Sequence, residues 1–263
     1  MQRRLIAIVA LLSALGRDAT AQGEPEQRAK APRTTAGLEY SFTTFGGDLD
    51  PWHHTALSLG RSGTRGTLIG RANVAHRFDT YGAQYELDAY PTFGRRHYAY
   101  LNVGFSDATI FPEQRYGAEF FTVLPHAYEA SLGLRNLRFP NEQVTLFTGS
   151  LGRYTGNYWF SLRPYVRQKT DGNFSATTSL TARRYYADAD TYIGARIGAG
   201  SAPTETLDPS QLGRERSVTA GLHASRPVSP RTITTWMVNY ERDQSSLRTL
   251  NRWELGGGIK VRF

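Results

Sequence analysis

In residues 156–169, GNYWFSLRPYVRQK, the even positions are Tyr158, Phe160, Leu162, Pro164 and Val166. The odd positions are Asn157, Trp159, Ser161, Arg163, Tyr165 and Arg167. Side chains alternate faces along a β-strand, so such a segment has one apolar face and one polar face studded with aromatics. The same period recurs along the chain. In 67–78, Leu68, Gly70, Ala72, Val74 and Phe78 oppose Thr67, Arg71, Asn73 and Arg77. In 81–93, Tyr81, Ala83, Tyr85, Leu87, Ala89, Pro91 and Phe93 oppose Gln84, Glu86, Asp88 and Thr92. The segments at 96–106 and 250–263 repeat the pattern, and helical spacing is sustained nowhere after the N-terminus.

Fourteen such segments begin near residues 38, 54, 67, 81, 96, 114, 126, 142, 156, 173, 191, 217, 231 and 250. Those near 114, 126 and 142 have mixed parity, which leaves twelve strands as the fallback count. The longest connections, such as SDATIFPEQR and SAPTETLDPSQLGRERS, all fall at odd places in the order. Short ones such as FGRR, LPH and YTGN fall at even places. Long outer loops and short inner turns are the habit of a closed antiparallel transmembrane β-barrel with both termini in the periplasm. On that reading the even face of 156–169 meets lipid and its two arginines point into the lumen. Tyr81, Phe93, Tyr158, Tyr186 and Phe263 would sit in the interfacial girdles.

The N-terminus, MQRRLIAIVALLSALGRDATAQ, follows a different rule. Arg3 and Arg4 precede an apolar run from Leu5 to Gly16, too short to span a bilayer as a helix, and Ala19-Thr20-Ala21 supplies a cleavage site. Residues 1–21 therefore read as a signal peptide, 22–37 as a flexible periplasmic leader and 38–263 as the barrel. Cleavage lowers the net charge from +8 to +6, and the bases are scattered, so nucleic acid is not an expected partner. The absence of cysteine excludes a disulfide scaffold, a thiolate metal site and a lipid-bearing cysteine.

The inward register collects the candidate lumen residues Arg71, Glu86, Asp88, Tyr98, Tyr100, Glu119, Glu129, Arg135, Trp159, Arg163, Arg167 and Arg183, with Lys260 near the end. They fit either an ion-paired filling or a lining for a polar solute, with Tyr98, Tyr100 and Trp159 as sugar-stacking faces. Catalytic signals are thin. His223 shares a face with Ser225, and Asp48 and Asp50 precede His53 and His54, yet turn chemistry explains the aspartates, as it does in ADAD at 187–190. No cofactor, metal site or catalytic residue is expected. The glycines at 256–258 are followed by no helix and so form no nucleotide loop.

YELDAYP (85–91), YAYLNVGFS (98–106), FPEQRYGAEFF (111–121), EASLGLR (129–135), TGSLGRYTGNYWFSLRPYV (148–166) and RRYY (183–186) together resemble the YaiO family of outer-membrane β-barrels. The resemblance implies the barrel and implies little about activity. Some related chains place helical repeats before the barrel and look like parts of polysaccharide export systems. With only a short leader here, export would require a separate periplasmic partner.

The expected protein is thus a non-enzymatic channel, export or envelope-surface component for polar solutes, saccharides among them. It would lie in the outer membrane of a Gram-negative bacterium. Outer-membrane lipids, lipopolysaccharide and the barrel-assembly machinery would be its partners, with Phe263 as assembly signal. The rival reading is a lipid- or polymer-modifying enzyme with a site at the extracellular rim. Cleavage after Ala21 and a heat-modifiable band in the outer-membrane fraction are the expected outcomes, and deleting Phe263 should lower the yield of that band. Soluble mature protein in the periplasm would refute the assignment.

Overall fold

The computed structural model describes residues 33–47, 49–77, 79–169, 172–204, 215–246 and 248–263. The expected signal peptide and most of the expected leader fall outside these residues. The strands are β1 Arg33–Phe45, β2 Trp52–Gly63, β3 Gly66–Arg77, β4 Thr80–Phe93, β5 His97–Phe105, β6 Gln114–Leu124 and β7 Tyr128–Arg138. They continue as β8 Gln143–Thr155, β9 Tyr158–Gln168, β10 Phe174–Tyr185, β11 Tyr192–Gly200, β12 Arg216–Pro227, β13 Thr232–Gln244 and β14 Thr249–Arg262. Each strand pairs antiparallel with its sequence neighbours, and β1 pairs with β14 from Thr35↔Arg262 to Phe45↔Arg252, which closes the barrel. No described helix is long and apolar enough to cross a membrane, a statement that does not bear on strands. The fourteen strands predicted from alternation are those observed. The barrel begins at Arg33, five residues before the expected boundary at 38, because Arg33–Gly37 pairs with β2 and, from Thr35 on, with β14 as well.

Parity settles the two faces. Along β9 the even positions from Tyr158 to Pro164 are exposed, whereas Trp159, Ser161, Arg163, Tyr165 and Arg167 are buried. The outer surface is a continuous apolar band that includes Leu59, 62 % exposed, and Leu132, 77 % exposed. In water such a surface would drive association; against hydrocarbon it is the stable arrangement. The segments with mixed parity, β6, β7 and β8, alternate cleanly. Their inner faces carry the apolar Phe121, Leu137, Val144 and Leu146, all buried, and this blurred the pattern.

Two prolines interrupt the ladder without moving it. Direct pairing of β4 with β5 skips from Ala89↔Leu101 to Thr92↔Tyr98 around Pro91. Pairing of β8 with β9 skips from Thr148↔Tyr165 to Leu151↔Leu162 around Pro164, whose carbonyl accepts from the Thr148 hydroxyl at 2.9 Å. Proline has no N–H to donate, and both rings face outward.

The alternation in 67–78 and 81–93 predicts a tight hairpin between them, with Arg71 meeting Asp88, and the observed β3–β4 pairing corrects its register. A turn at Asp79-Thr80 would have set Phe78 opposite Tyr81, Arg71 opposite Asp88 and Asn73 opposite Glu86. Phe78 lies outside the described residues. The observed pairs are Arg77↔Thr80, His76↔Tyr81, Arg71↔Glu86 and Asn73↔Gln84, a slip of two positions. Asp79 has φ +59°, a left-handed conformation that aspartate tolerates and β-branched threonine resists. Thr80 is therefore in the strand. A slip of two preserves every facing, so inward residues stay inward.

Candidate functional site

The lumen is built from the odd-even choice repeated on fourteen strands, and its two walls differ. On β4–β10 nearly every inward side chain is buried. Glu119 on β6 accepts from Arg135 Nη2 at 2.6 Å, from Arg163 Nη1 at 2.8 Å and from the Ser131 hydroxyl at 2.5 Å. The Arg135 guanidinium also lies 4.7 Å from the Tyr100 ring centroid. A second network adjoins it. Asp88 Oδ2 is 3.1 Å from Arg71 Nη2, and Asp88 Oδ1 accepts from Asn102 Nδ2 at 2.6 Å. Glu86 accepts from Asn73 Nδ2 at 2.8 Å, and Arg115 Nε donates to Asn102 Oδ1 at 2.7 Å. Carboxylates and guanidinium groups removed from water are stable when they satisfy one another in this way.

The wall made by β11–β14 and β1–β3 is different. At mid-depth Glu39, Ser58, Arg196, Gly221, Asn239 and Glu254 face inward and are half-exposed. Glycines on this wall make room for neighbouring side chains. A Cβ on Gly258 would stand 2.9 Å from Glu39 Cγ, and one on Gly221 2.2 Å from Asn239 Oδ1. Side chains therefore fill one side of the lumen and leave a polar strip along the other.

Near the short-turn end of this strip stands Arg183. Its guanidinium lies 5.1 Å from the Trp159 centroid and 4.8 Å from that of Tyr192, and its Nε donates to His223 Nε2 at 3.1 Å. Gly194 beneath makes this possible: a Cβ there would meet His223 Nε2 at 2.2 Å and Arg183 Cγ at 3.0 Å. Among the described residues neither Arg183 nor Lys260 has a carboxylate within ion-pair distance.

At the long-loop end the lumen narrows. The connection 106–113 folds inward, and Ile110 and Phe111 pack on Ala75. Gln84 Nε2 donates to the Pro112 carbonyl at 3.2 Å, and Ser106 Oγ to the Ala83 carbonyl at 2.6 Å. Arg77 lies over the Trp52 and Phe111 rings. Phe45, Trp52 and Leu250 form a second apolar cluster, joined to the first through Arg77.

The profile of the YaiO membrane beta barrel domain matches residues 33–205. The chain belongs to the YaiO membrane beta barrel family. Among curated proteins no sequence match was found. The fold is similar to that of a solved structure described as the CymD monoaromatic hydrocarbon channel, at 9 % identity and TM-score 0.60, covering 88 % of each chain. It is also similar to a bacterial polysaccharide outer membrane secretin, at 8 % identity and TM-score 0.56, covering 88 % of this chain and 98 % of that one. The outer membrane protein Omp33 of Acinetobacter baumannii aligns at 8 % identity and TM-score 0.52, with the same coverage. The likeness is one of fold: all three are outer-membrane barrels.

Within this YaiO-family barrel, the twelve lumen candidates and Lys260 project inward. Of the two expected uses, the surroundings of the three aromatics fit the filling. Tyr100 is 1 % exposed beneath Arg135, Tyr98 stacks on Phe121 at 4.5 Å and donates to Glu129, and Trp159 lies under Arg183. These rings are occupied by the protein and are not open sugar-stacking faces. Arg167 pairs with Glu142 near the long-loop end. Phe263 is exposed, and its N–H donates to the Thr34 carbonyl at 2.9 Å.

The histidine and aspartate candidates separate. His53 points outward and meets Tyr40 Oη at 2.7 Å, while His54 points inward to Asn73 at 3.2 Å, so they cannot share a ligand. Asp48 lies outside the described residues. Asp188 accepts from the Asp190 N–H and the Thr191 hydroxyl, as a turn aspartate does, and Asp190 pairs with Arg262. Glu39, Asn102, Arg115 and Arg196 were not singled out from the sequence. Arg115 begins the β6 run whose inward Phe121 obscured the period.

The expected Arg71–Asp88 contact is present, but diagonally across one strand pair. Both side chains are almost fully buried. Losing Asp88 alone should therefore leave the buried guanidinium with the longer contact to Glu86, at 3.8 Å, in place of the 3.1 Å pair. Asp88→Ala should destabilise the barrel by about 3–5 kcal/mol, and Asp88→Leu with Arg71→Met by clearly less. Urea unfolding of the detergent-folded barrel measures both. Equal losses would show that water reaches the pair.

Proposed function

We propose that this barrel is a non-enzymatic passage for small polar solutes across the outer membrane. The observation that supports it is the polar, incompletely filled strip along β11–β14 and β1–β3, which stays half-exposed at mid-depth. A barrel whose role was only structural would gain by packing both walls as it packs β4–β10. The fold neighbours include a hydrocarbon channel and a polysaccharide secretin, so the fold leaves the solute to the wall residues. Here those residues are Arg183, Arg196, Lys260, Glu39, Glu254 and Asn239, with hydroxyls and glycines between them, which suits hydrated solutes, sugars included. The apolar mouth at the long-loop end makes the passage narrow.

In planar bilayers the purified barrel should give small, discrete conductance steps. Arg183 and Lys260 lack carboxylate partners, so they should favour anions. Arg183→Gln with Lys260→Gln should shift the reversal potential in a salt gradient toward cations. Changes at Glu119, locked between two arginines, should alter stability instead. An absence of conductance, together with no swelling of sugar-loaded proteoliposomes, would overturn the reading.

The same reading places the termini and short turns in the periplasm, supported by the long connections 106–113 and 201–215 at the opposite end. Protease added to intact cells should nick the chain within 201–217 and spare the turn at 94–96. The reverse pattern would invert the barrel.

A further inference from the structure

The outer surface at the short-turn rim bears a charge pattern that the lumen does not use. On four strands the apolar outward row ends in an arginine: Leu57-Leu59-Arg61 on β2, Leu151-Arg153 on β8, Leu180-Ala182-Arg184 on β10 and Leu222-Ala224-Arg226 on β12, taking outward positions only. Each is the last or next-to-last outward residue before the turn, and all four are exposed. Arg153 lies over the Tyr128 ring at 4.9 Å, and Arg184 lies over Tyr158 at 5.7 Å and Tyr186 at 5.1 Å. A guanidinium laid flat on an aromatic face keeps its N–H edge free.

None of the four has a carboxylate partner among the described residues, in contrast to Arg135, Arg163, Arg167 and Arg252 within the barrel. Arg65, Arg95, Arg96 and Arg231 extend the same charge into the turns, and all are exposed. The described acids of this rim are Asp188, engaged within its own connection, and Asp190, paired with Arg262. The opposite rim mixes signs: Asp50, Asp79, Asp107, Glu113 and Glu215 stand among its bases, and Arg138 there approaches Glu113 at 3.9 Å.

We propose that the arginines of the short-turn rim form a binding girdle for the phosphates of anionic glycerophospholipids. Position supplies the first argument. These side chains stand where the lipid-facing apolar band stops, at headgroup depth, and point away from the barrel axis. Chemistry supplies the second: a planar five-donor cation with no carboxylate partner among the described residues matches a phosphodiester in two hydrogen bonds. The choice of glycerophospholipid over lipid A rests on the orientation proposed above, which puts this rim in the periplasmic leaflet.

The test is native mass spectrometry of the folded barrel in non-ionic detergent, titrated with phosphatidylglycerol, with phosphatidylcholine of the same chains, and with lipid A. Wild type should retain phosphatidylglycerol at least about tenfold better than phosphatidylcholine, in line with the pull of several basic residues on an anionic leaflet. The variant Arg61→Gln, Arg153→Gln, Arg184→Gln, Arg226→Gln should lose that preference while keeping its heat-modifiable band. A control at the other rim, Arg216→Gln, Arg242→Gln, Arg248→Gln, should keep it. If the fourfold variant fails to fold, the pairs Arg61→Gln with Arg153→Gln and Arg184→Gln with Arg226→Gln give the same reading by partial loss. Equal retention of both phospholipids, or equal loss in the control, would overturn the girdle. Rim-dependent preference for lipid A would overturn the glycerophospholipid assignment. The protease pattern on intact cells reads orientation separately, so an inverted barrel is distinguished from a girdle that does not bind.

Discussion

A backbone N–H or C=O left unpaired in hydrocarbon costs several kcal/mol, and this one constraint shapes the whole molecule. A sheet meets it only by having no edge. The pairing of β1 with β14 removes both edges at once, which makes every other strand tolerable in lipid. Pro91 and Pro164 show how small the tolerance is. Each interrupts the ladder locally, and at Pro164 the carbonyl is recovered by the hydroxyl of Thr148.

Closure then forces an inside and an outside with opposite needs. Outside, hydrocarbon accepts leucine, phenylalanine and valine without specificity, so that face is uniform. Inside, polar groups must find partners or water, and the two walls solve this differently. Between β4 and β10 the partners are other side chains, with Glu119 and Asp88 as the acceptors on which several donors converge. Between β11 and β3 several inner residues at mid-depth are half-exposed, among them Asn239, which donates to Glu254 at 3.1 Å. The passage proposed along one wall, beside a packed one, would combine stability with room for a solute.

The ends of the barrel differ for a related reason. At the long-loop mouth, apolar residues of the connections turn inward and cover one another, so the chain itself narrows the opening. At the short-turn mouth the described connections are short. That rim instead presents aromatic rings and arginines to the membrane edge, the side-chain types that are stable where hydrocarbon gives way to headgroups.

Much of this was legible in the residues alone. A period of two, a connection pattern sorted by parity and a terminal aromatic strand determined the class, the fourteen strands and the inward facing of Arg71, Glu119, Arg163 and Arg183, because facing depends only on parity. A two-residue slip at the Asp79 turn leaves facing untouched, so the Arg71–Asp88 contact survived a wrong register. What parity cannot show is which inward residues meet across the curved wall. Arg163 reaches Glu119 three strands away, and Arg135 covers Tyr100. Whether Tyr98 and Trp159 greet a solute or lie beneath neighbouring side chains, and whether the lumen is full or half-empty, depends on distances between strands far apart in sequence. Those distances exist only once the sheet has closed.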